Sequence, residues 1–538
     1  MKINYTKLRG GYYTPELITD FLSRWVLKKS SNILEPSAGD GAFIKSILKE
    51  IPNSNESTKI TSIELDPKEG EKIIDLYKKN DFHQAKHING DFFTYATKLF
   101  SKGVKFDGIL GNPPFIRYQN FVKIYRKKAF DLMNSFGLNP NGLTNIWVPF
   151  LVVCSKLLKK EGRLGMVIPA ELFQVNYAAD TRKFLSDEYS DITIITFKKL
   201  LFSNAQQEVV LILAEKDGKK SSHIKILELN DETELKNISQ KQLDQAQQKE
   251  LVHSKDKWTY YFLDKSEIQF LMDLRKKTNC HLADQYIDVD VGVVTGVNDF
   301  FILKPEEKDA RNLNESCIKI VPRSNHLKGI IFNQTDCKKN IKSNVPSFMF
   351  YPKDKEYSKL TSAEKKYINY GMEKGFHKGY KCNIRKRWYI VPSVWVPDAF
   401  MLRQIHEYPK LIINSNKSLC TDTIHRVKIL HKDKAKMVAA FINSLTFVYA
   451  ELLGRSYGGG VLTFEPSECE KLPLPIKGMA AINVGRIDKL VRTKKIEKAL
   501  DLNDKILLQN NLKLTSDEVK KLRKIWHKLK NRRLNRKN

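Results

Sequence analysis

The stretch "GILGNPPFIRYQ", residues 108–119, sets an Asn, two prolines and an aromatic directly after an apolar run. Pro113 and Pro114 lack an N–H, and each pushes its predecessor into an extended conformation. Asn112 to Phe115 should therefore be a stiff elbow whose carbonyl acceptors are not matched by donors. Such a surface suits a ligand that brings hydrogens of its own; an ordinary proline-rich turn is the alternative. Upstream, "NILEPSAGDGAFIKSIL" reads as strand, tight turn, helix, with Gly39 and Gly41 letting backbone approach a ligand at a helix N-terminus. The third glycine of a dinucleotide loop is missing, since Gly41-Ala42-Phe43 is followed by Ile44. Glu35 at the strand end repels a pyrophosphate and suits a cationic amino acid or a sulfonium. "SIELDP" puts Glu64 where such folds carry the acid that accepts from ribose hydroxyls. "NGDFF" offers Asp91 to an adenine amine and Phe92 to its face. Singly these are a turn, a cap and a core residue; three acids after three strands, then "GNPPF", form a pattern.

Holding that pattern in place requires a sheet. From Asn32 to about Glu215, short β-branched runs alternate with helical patterns, the signature of a parallel sheet flanked by helices. Strands are expected at Asn32 to Glu35, Ile60 to Leu65, Phe106 to Leu110, Arg163 to Ile168, Ile192 to Phe197 and Val209 to Ala214, and helices at Pro15 to Val26, Ala42 to Lys49 and Trp147 to Lys160. Lys216 to about Asp256 is polar and aperiodic over much of its length and reads as a connection. From Tyr286 the texture changes to short strands, aromatics and basic clusters, a second α+β or mostly β domain ending near Pro475. Beyond it the chain turns helical and very basic: Thr515 and Glu518 have capping-box spacing, and Val519, Leu522, Trp526 and Leu529 form one stripe.

The 538 residues allow roughly two to four domains. Lys plus Arg total 92 against 61 Asp plus Glu, a formal excess of +31. That exceeds what solubility needs, so a polyanion is the natural partner, nucleic acid ahead of an anionic membrane surface. Solvated lysine faces are the plain alternative. Cys154, Cys280, Cys317, Cys337, Cys382, Cys420 and Cys469 include no C-x-x-C pair, which argues for a reducing compartment and against structural zinc. Met1 to Gly11 carries no apolar signal core and no apolar run is long enough to span a bilayer, so a cytoplasmic protein without a membrane partner is expected.

Together, "YYTP" (12–15), "LEPSAGDGAF" (34–43), "IELDP", "GDFF", "GNPPF", "GRLGMVIP" (162–169) and "LFSNAQQEVVLIL" (201–213) resemble the adenine-specific DNA methyltransferases of restriction-modification systems. The order is that of the members in which cofactor motifs precede the catalytic motif and a target-recognition domain follows. The likeness covers nearly all of residues 10–215 and is softer in "GVVTGVNDFFIL" and "GRSYGGGVLTFEPSECEKLPLP". It implies a Rossmann-like α/β methyltransferase domain with a mostly parallel sheet over 1–225, a connecting region over 226–280, an α+β DNA target-recognition domain over 281–476 and a basic helical region over 477–538. It also implies S-adenosylmethionine as cofactor, double-stranded DNA as substrate, a monomer, and a separate cognate restriction endonuclease as a partner to look for.

Carried over by residue, the resemblance puts Thr14 and Glu35, Pro36, Ser37, Ala38, Gly39 and Gly41 at the methionine end of the cofactor, Glu64 at its ribose, and Asp91 with Phe92 at its adenine. Asn112, Pro113, Pro114 and Phe115 would hold a flipped target base, with Phe202 as a second aromatic face. Phe115 stands where related enzymes often have Tyr, which keeps stacking and loses any phenol contact. If the Asn112 side-chain oxygen and the Pro113 carbonyl accept both amine hydrogens, the nitrogen can pyramidalise toward the methyl donor, and no metal or separate base is called for. In the recognition domain Arg385, Lys386, Arg387, Trp388, Asn414, Asn416 and Lys417 sit in loop-like settings suited to bases or phosphates, and Tyr457 to Gly460 to a turn near DNA. Methylation of RNA, of protein glutamine or of cytosine N4, and a non-catalytic DNA-binding subunit, stay open as rivals.

Overall fold

The β-branched runs form the strands expected of them, and pairing partners set their ends. Asn32–Glu35 is β1, Lys59–Glu64 β2, Ala85–Asn89 β3, Phe106–Gly111 β4, Leu158–Pro169 β5, Asp191–Phe197 β6, Val209–Glu215 β7, His223–Leu229 β8 and Gln247–Glu250 β9. They join one sheet in the order β3-β2-β1-β4-β5-β7-β6-β8-β9. From β3 to β5 every pair is parallel; β7 runs antiparallel to both β5 and β6, and β9 to β8. The sheet is therefore mixed, and the parallel pattern expected of it holds through the part that carries the acid-bearing loops. The computed structural model describes residues 14–51, 57–117, 120–142, 144–174, 178–201, 208–221, 223–250, 257–457 and 459–535.

Helices cover the sheet through faces written in their spacing. In α1, Glu16–Leu27, the buried Ile18, Phe21, Leu22, Trp25 and Val26 recur every three or four positions, one stripe of a 3.6-residue helix. The helix α2, Ala42–Glu50, starts from Gly41 at φ +83, a left-handed turn that glycine adopts without penalty. Asp66 caps α3, Pro67–Lys79, and Asp91 caps α4, Phe92–Ser101, each by accepting from a first-turn N–H. The expected helix Trp147 to Lys160 stops at Leu157, because Leu158 is extended and pairs with Phe106 in β5.

The chain divides into two compact units, residues 1–265 with 457–460 and 534–538, and residues 266–456 with 461–533. The stretch read as a connection differs from expectation: its apolar Ile224, Ile226 and Leu229 are buried and build β8, to which β9 adds an edge. Within the second unit a five-stranded sheet has Ile287–Val291, Ile424–Ile429, Ala399–Leu402, Leu411–Asn414 and Ile331–Phe332 side by side. Nearby, Phe300, Phe350 and Tyr367 pack as an aromatic core, Phe300 stacked on Tyr367 at 4.6 Å. The C-terminal helix Ser516–Leu534 carries the expected capping box, with Thr515 N–H to Glu518 Oε2 at 2.7 Å and Glu518 N–H to Thr515 Oγ1 at 3.1 Å. Its stripe of Val519, Leu522, Trp526 and Leu529 is buried, Trp526 against Phe447. Most of that basic tail thus belongs to the second unit's core. Among the described residues no single helix is long and apolar enough to cross a membrane.

Gly108 shows how closely α1 lies on the sheet. A Cβ there would stand 2.6 Å from Ile33 Cδ1 and 2.7 Å from Ser30 Cβ and Val26 Cγ1. Gly108→Ala is expected to cost about 1–3 kcal/mol by overpacking and to lower the thermal unfolding midpoint with the far-UV spectrum unchanged at 20 °C. An unshifted midpoint would refute this account of the packing.

Candidate active site

The strand order converts sequence order into a spatial row. Reading along β3-β2-β1-β4, the carboxyl ends present Asp91, Glu64, Glu35 and Asn112 on one edge. The chain changes direction across the sheet between β1 and β4, the place where open α/β sheets bind ligands.

Glu35 ends β1 with 1% of its surface exposed, and among the described residues neither carboxylate oxygen has a hydrogen-bond donor. Burial holds its carboxyl well above the usual range, and the neighbouring Glu64 and Asp40 push the same way. A buried acid without a donor is costly unless a cation comes to it. Gly39, four residues on, has φ +55, and no heavy atom lies within 4 Å of where a side chain would begin. An acid with no internal partner beside an open glycine turn fits a cationic ligand such as the methionine end of S-adenosylmethionine, and it opposes a diphosphate.

Glu64 knits two loops together: its Oε2 accepts from Gly39 N–H and its Oε1 from Asp66 N–H, both at 2.8 Å. Ala38 N–H also donates to Ile63 O at 2.9 Å, so the glycine turn is moored to β2. Asp91 takes the cap role noted above, Oδ2 accepting from Thr94 N–H and Oγ1 at 2.7 Å, and burial raises its carboxyl. Phe92 is buried, stacked on Phe150 at 4.9 Å, so one ring face belongs to the core. An adenine on Phe92 has at most its remaining edge to use.

The elbow is clamped along its length. Asn112 Nδ2 donates to Thr14 Oγ1 at 3.1 Å, and Ser37 Oγ donates to the Asn112 carbonyl at 3.2 Å. Beyond Phe115, Ile146 N–H donates to Ile116 O at 3.0 Å. Gly111 permits the close approach: a Cβ there would come within 3.3 Å of Pro36 Cδ. Pro113 is buried, and Pro114 and Phe115 are half-buried. Phe202 lies outside the described residues, as does the side chain of Tyr457. Thr14 and Ser37, expected only at the cofactor, thus also brace the catalytic loop. The Ile146 clamp was missed; the turn-rich "NPNGLTN" ahead of a mostly apolar helix was its signal.

In the second unit several expected DNA contacts turn out to be committed elsewhere. Asn414 is buried, its Nδ2 donating to Pro397 O and Ser418 O at 2.8 Å and its Oδ1 accepting from Ser418 N–H at 3.1 Å. It holds a turn and has no atom to spare for a base. Asn416 is half-buried and bonds Ser418 Oγ at 2.7 Å. Trp388 packs on Phe300 at 4.8 Å, part of the core and not a free stacking face. Arg387 pairs with Asp354, and Arg385 donates to Val294 O at 3.1 Å. Lys386 and Lys417 are exposed, Lys417 at φ +53 on the turn that Asn414 secures.

Comparison with known proteins accords with this geometry. The model of the family described as N-6 DNA methylase matches residues 3–276, and that of the C-terminal domain of the type II methyltransferase M.Eco57I matches residues 255–508. The type II methyltransferase M.AccI of Acinetobacter calcoaceticus is 23% identical over 513 residues, 91% of this chain and 88% of its own. M.HindII of Haemophilus influenzae is 26% identical over 341 residues, 60% of each. The DrdV–DNA complex solved by cryo-electron microscopy has a likeness of fold, TM-score 0.52 at 12% identity, over 91% of this chain and 57% of that one. These matches take DNA adenine over the RNA, protein and binding-only readings. The chain belongs to the N-6 DNA methylase family, as a site-specific adenine-N6 DNA methyltransferase of the restriction-modification kind that uses S-adenosylmethionine.

Proposed function

We propose that Asn112 and Pro113 clasp the exocyclic amine of an adenine turned out of duplex DNA, beside a methyl donor held over Glu35. The observation that carries this reading is the Thr14–Asn112 hydrogen bond. It commits the amide nitrogen to Thr14 and so makes the amide oxygen the end that faces a donor. With the Pro113 carbonyl as second acceptor, the amine's two hydrogens are drawn out of the ring plane and the nitrogen pyramidalises with its lone pair aimed at the methyl. As the N–C bond forms the methyl–sulfur bond breaks to leave a neutral thioether, and one amine proton passes to solvent. S-adenosylmethionine supplies a methyl already activated on a sulfonium. What the protein adds is alignment, a proximity effect fixed by the clamped elbow, and one base-stacking face in Phe115. Extruding a base costs a few kcal/mol, and one aromatic stack returns about 1–3 kcal/mol. Glu64 and Asp91 are proposed to take the ribose and adenine of the cofactor, since carboxylates accept from hydroxyl and amine groups.

We propose further that the enzyme acts as a monomer in the cytoplasm, paired with a separate cognate endonuclease. Seven free thiols suit a reducing compartment.

With labelled S-adenosylmethionine, label is expected in N6-methyladenine of duplex DNA; label in protein or RNA alone would overturn the reading. Asn112→Ala is expected to lower the transfer rate at least about a hundredfold with DNA binding kept, and equal loss of both would make Asn112 structural. Thr14→Val should lower kcat about tenfold, the worth of one hydrogen bond of about 1.4 kcal/mol, and Thr14→Ser should restore it.

Glu35 gives a pH signature. Folded Glu35 keeps its proton to higher pH than unfolded Glu35, so its cost to the native state is absent below the ordinary carboxylate range and grows as pH rises above it. The unfolding midpoint of cofactor-free Glu35→Gln, relative to the unsubstituted protein, should therefore rise between about pH 4.5 and pH 8. A cationic cofactor favours the ionised acid, so titration calorimetry in buffers of different ionisation enthalpy should detect a proton released on binding, lost in Glu35→Gln. A pH-independent midpoint difference would refute the assignment.

A further inference from the structure

The second unit exposes an apolar tip that no internal packing explains. Tyr380 is 75% exposed, Ile384 62% and Val294 40%. They are neighbours. Ile384 N–H donates to Tyr380 O at 3.3 Å, which puts the two one turn apart, and Arg385 reaches Val294 O at 3.1 Å. Single exposed apolar residues are ordinary; a contiguous set needs a reason.

The tip is rigidly rooted. Cys382, between the two exposed residues, is fully buried in the aromatic core. Gly296, at φ +86, packs so tightly that a Cβ would come 2.8 Å from Lys381 Cβ and 3.4 Å from Cys382 Sγ. Below, Trp388 lies on Phe300 at 4.8 Å, and a Cβ on Gly371 would meet both rings at 2.5 Å. A loop anchored this way does not fold its tip inward to hide it.

Charge around the tip identifies the occupant. Residues 374–397 contain Lys374, Lys378, Lys381, Arg385, Lys386 and Arg387 and no Asp or Glu. Lys374, Lys378, Lys381 and Lys386 are exposed. Apolar side chains flanked by four exposed lysines match a nucleic-acid duplex, whose phosphates flank an apolar base stack, better than a protein surface. We propose that Tyr380 and Ile384 form a wedge that enters the duplex at a base step, with the flanking lysines on its phosphates. Wedges of this chemistry unstack a step and kink the helix, and the cost is recovered in added contact. This rests on DNA being the substrate and adds a second point of distortion, separate from the extruded adenine.

The test uses the full-length enzyme and a duplex of about 30 base pairs carrying the sequence that the enzyme methylates in its expression host, with 2-aminopurine placed at each position in turn. Methylation of the unsubstituted duplex by the wild type is the control, and its failure would count against the proposed activity, not against the wedge. Wild type is expected to brighten 2-aminopurine at the target adenine and at a second, separate step. Tyr380→Ala with Ile384→Ala should erase only the second signal and weaken binding about tenfold with the salt slope unchanged, since neither residue neutralises a phosphate. Lys381→Ala with Lys386→Ala should instead flatten the slope by about two. Both tip residues are exposed, so an unchanged melting temperature is expected. A double variant with wild-type affinity and both signals, or one that changes only oligomeric state in sedimentation, would overturn the proposal; the latter would make the tip a protein interface.

Discussion

A buried carboxyl that no described residue donates to is the constraint around which the first unit is organised. Left to itself Glu35 would move its side chain to water or recruit a loop N–H, and the surroundings allow neither. Pro36, the next residue, has no N–H to give, and the glycine turn's N–H groups are spent on Glu64 and on the turn itself. The strand holding Glu35 lies between two parallel neighbours, so its end cannot shift without breaking both ladders. On the proposed placement of the cofactor, a cation over Glu35 would remove the cost of ionising it, so affinity would be gained where stability is given up.

The same rigidity serves the chemistry next door. Asn112 follows directly on β4 and is tied to Thr14, ahead of α1, and to Ser37, after β1. Three segments far apart in sequence thus converge on one residue, Thr14 at its side-chain amide and Ser37 at its backbone carbonyl. On the proposed placement of cofactor and base, methyl donor and acceptor would be referenced to the same backbone, which is what an alignment mechanism demands.

The second unit applies a different logic. Its loops are braced by residues that look, in isolation, like readers of DNA. Asn414 spends its amide donors on Pro397 and Ser418, Trp388 closes an aromatic core, and Arg385 ties two loops together. What they present outward is simpler: exposed lysines, and the apolar side chains of Tyr380 and Ile384.

Strand positions such as Asn32 to Glu35, the capping box at Thr515 and the acid-acid-acid-elbow series were legible in the amino-acid sequence, because periodicity, capping and turn chemistry act over a few residues. Non-local pairing decided the rest. The aperiodic stretch around β9 became a strand only because β8 offered an open edge; Trp147 to Leu157 ended where β4 supplied a partner for Leu158. Residue type alone chose Asn112 and Glu35 for their chemistry. Only the folded chain could show that the Asn112 amide nitrogen donates to Thr14 and that Asn414 faces inward, since hydrogen-bond orientation and burial depend on neighbours distant in sequence.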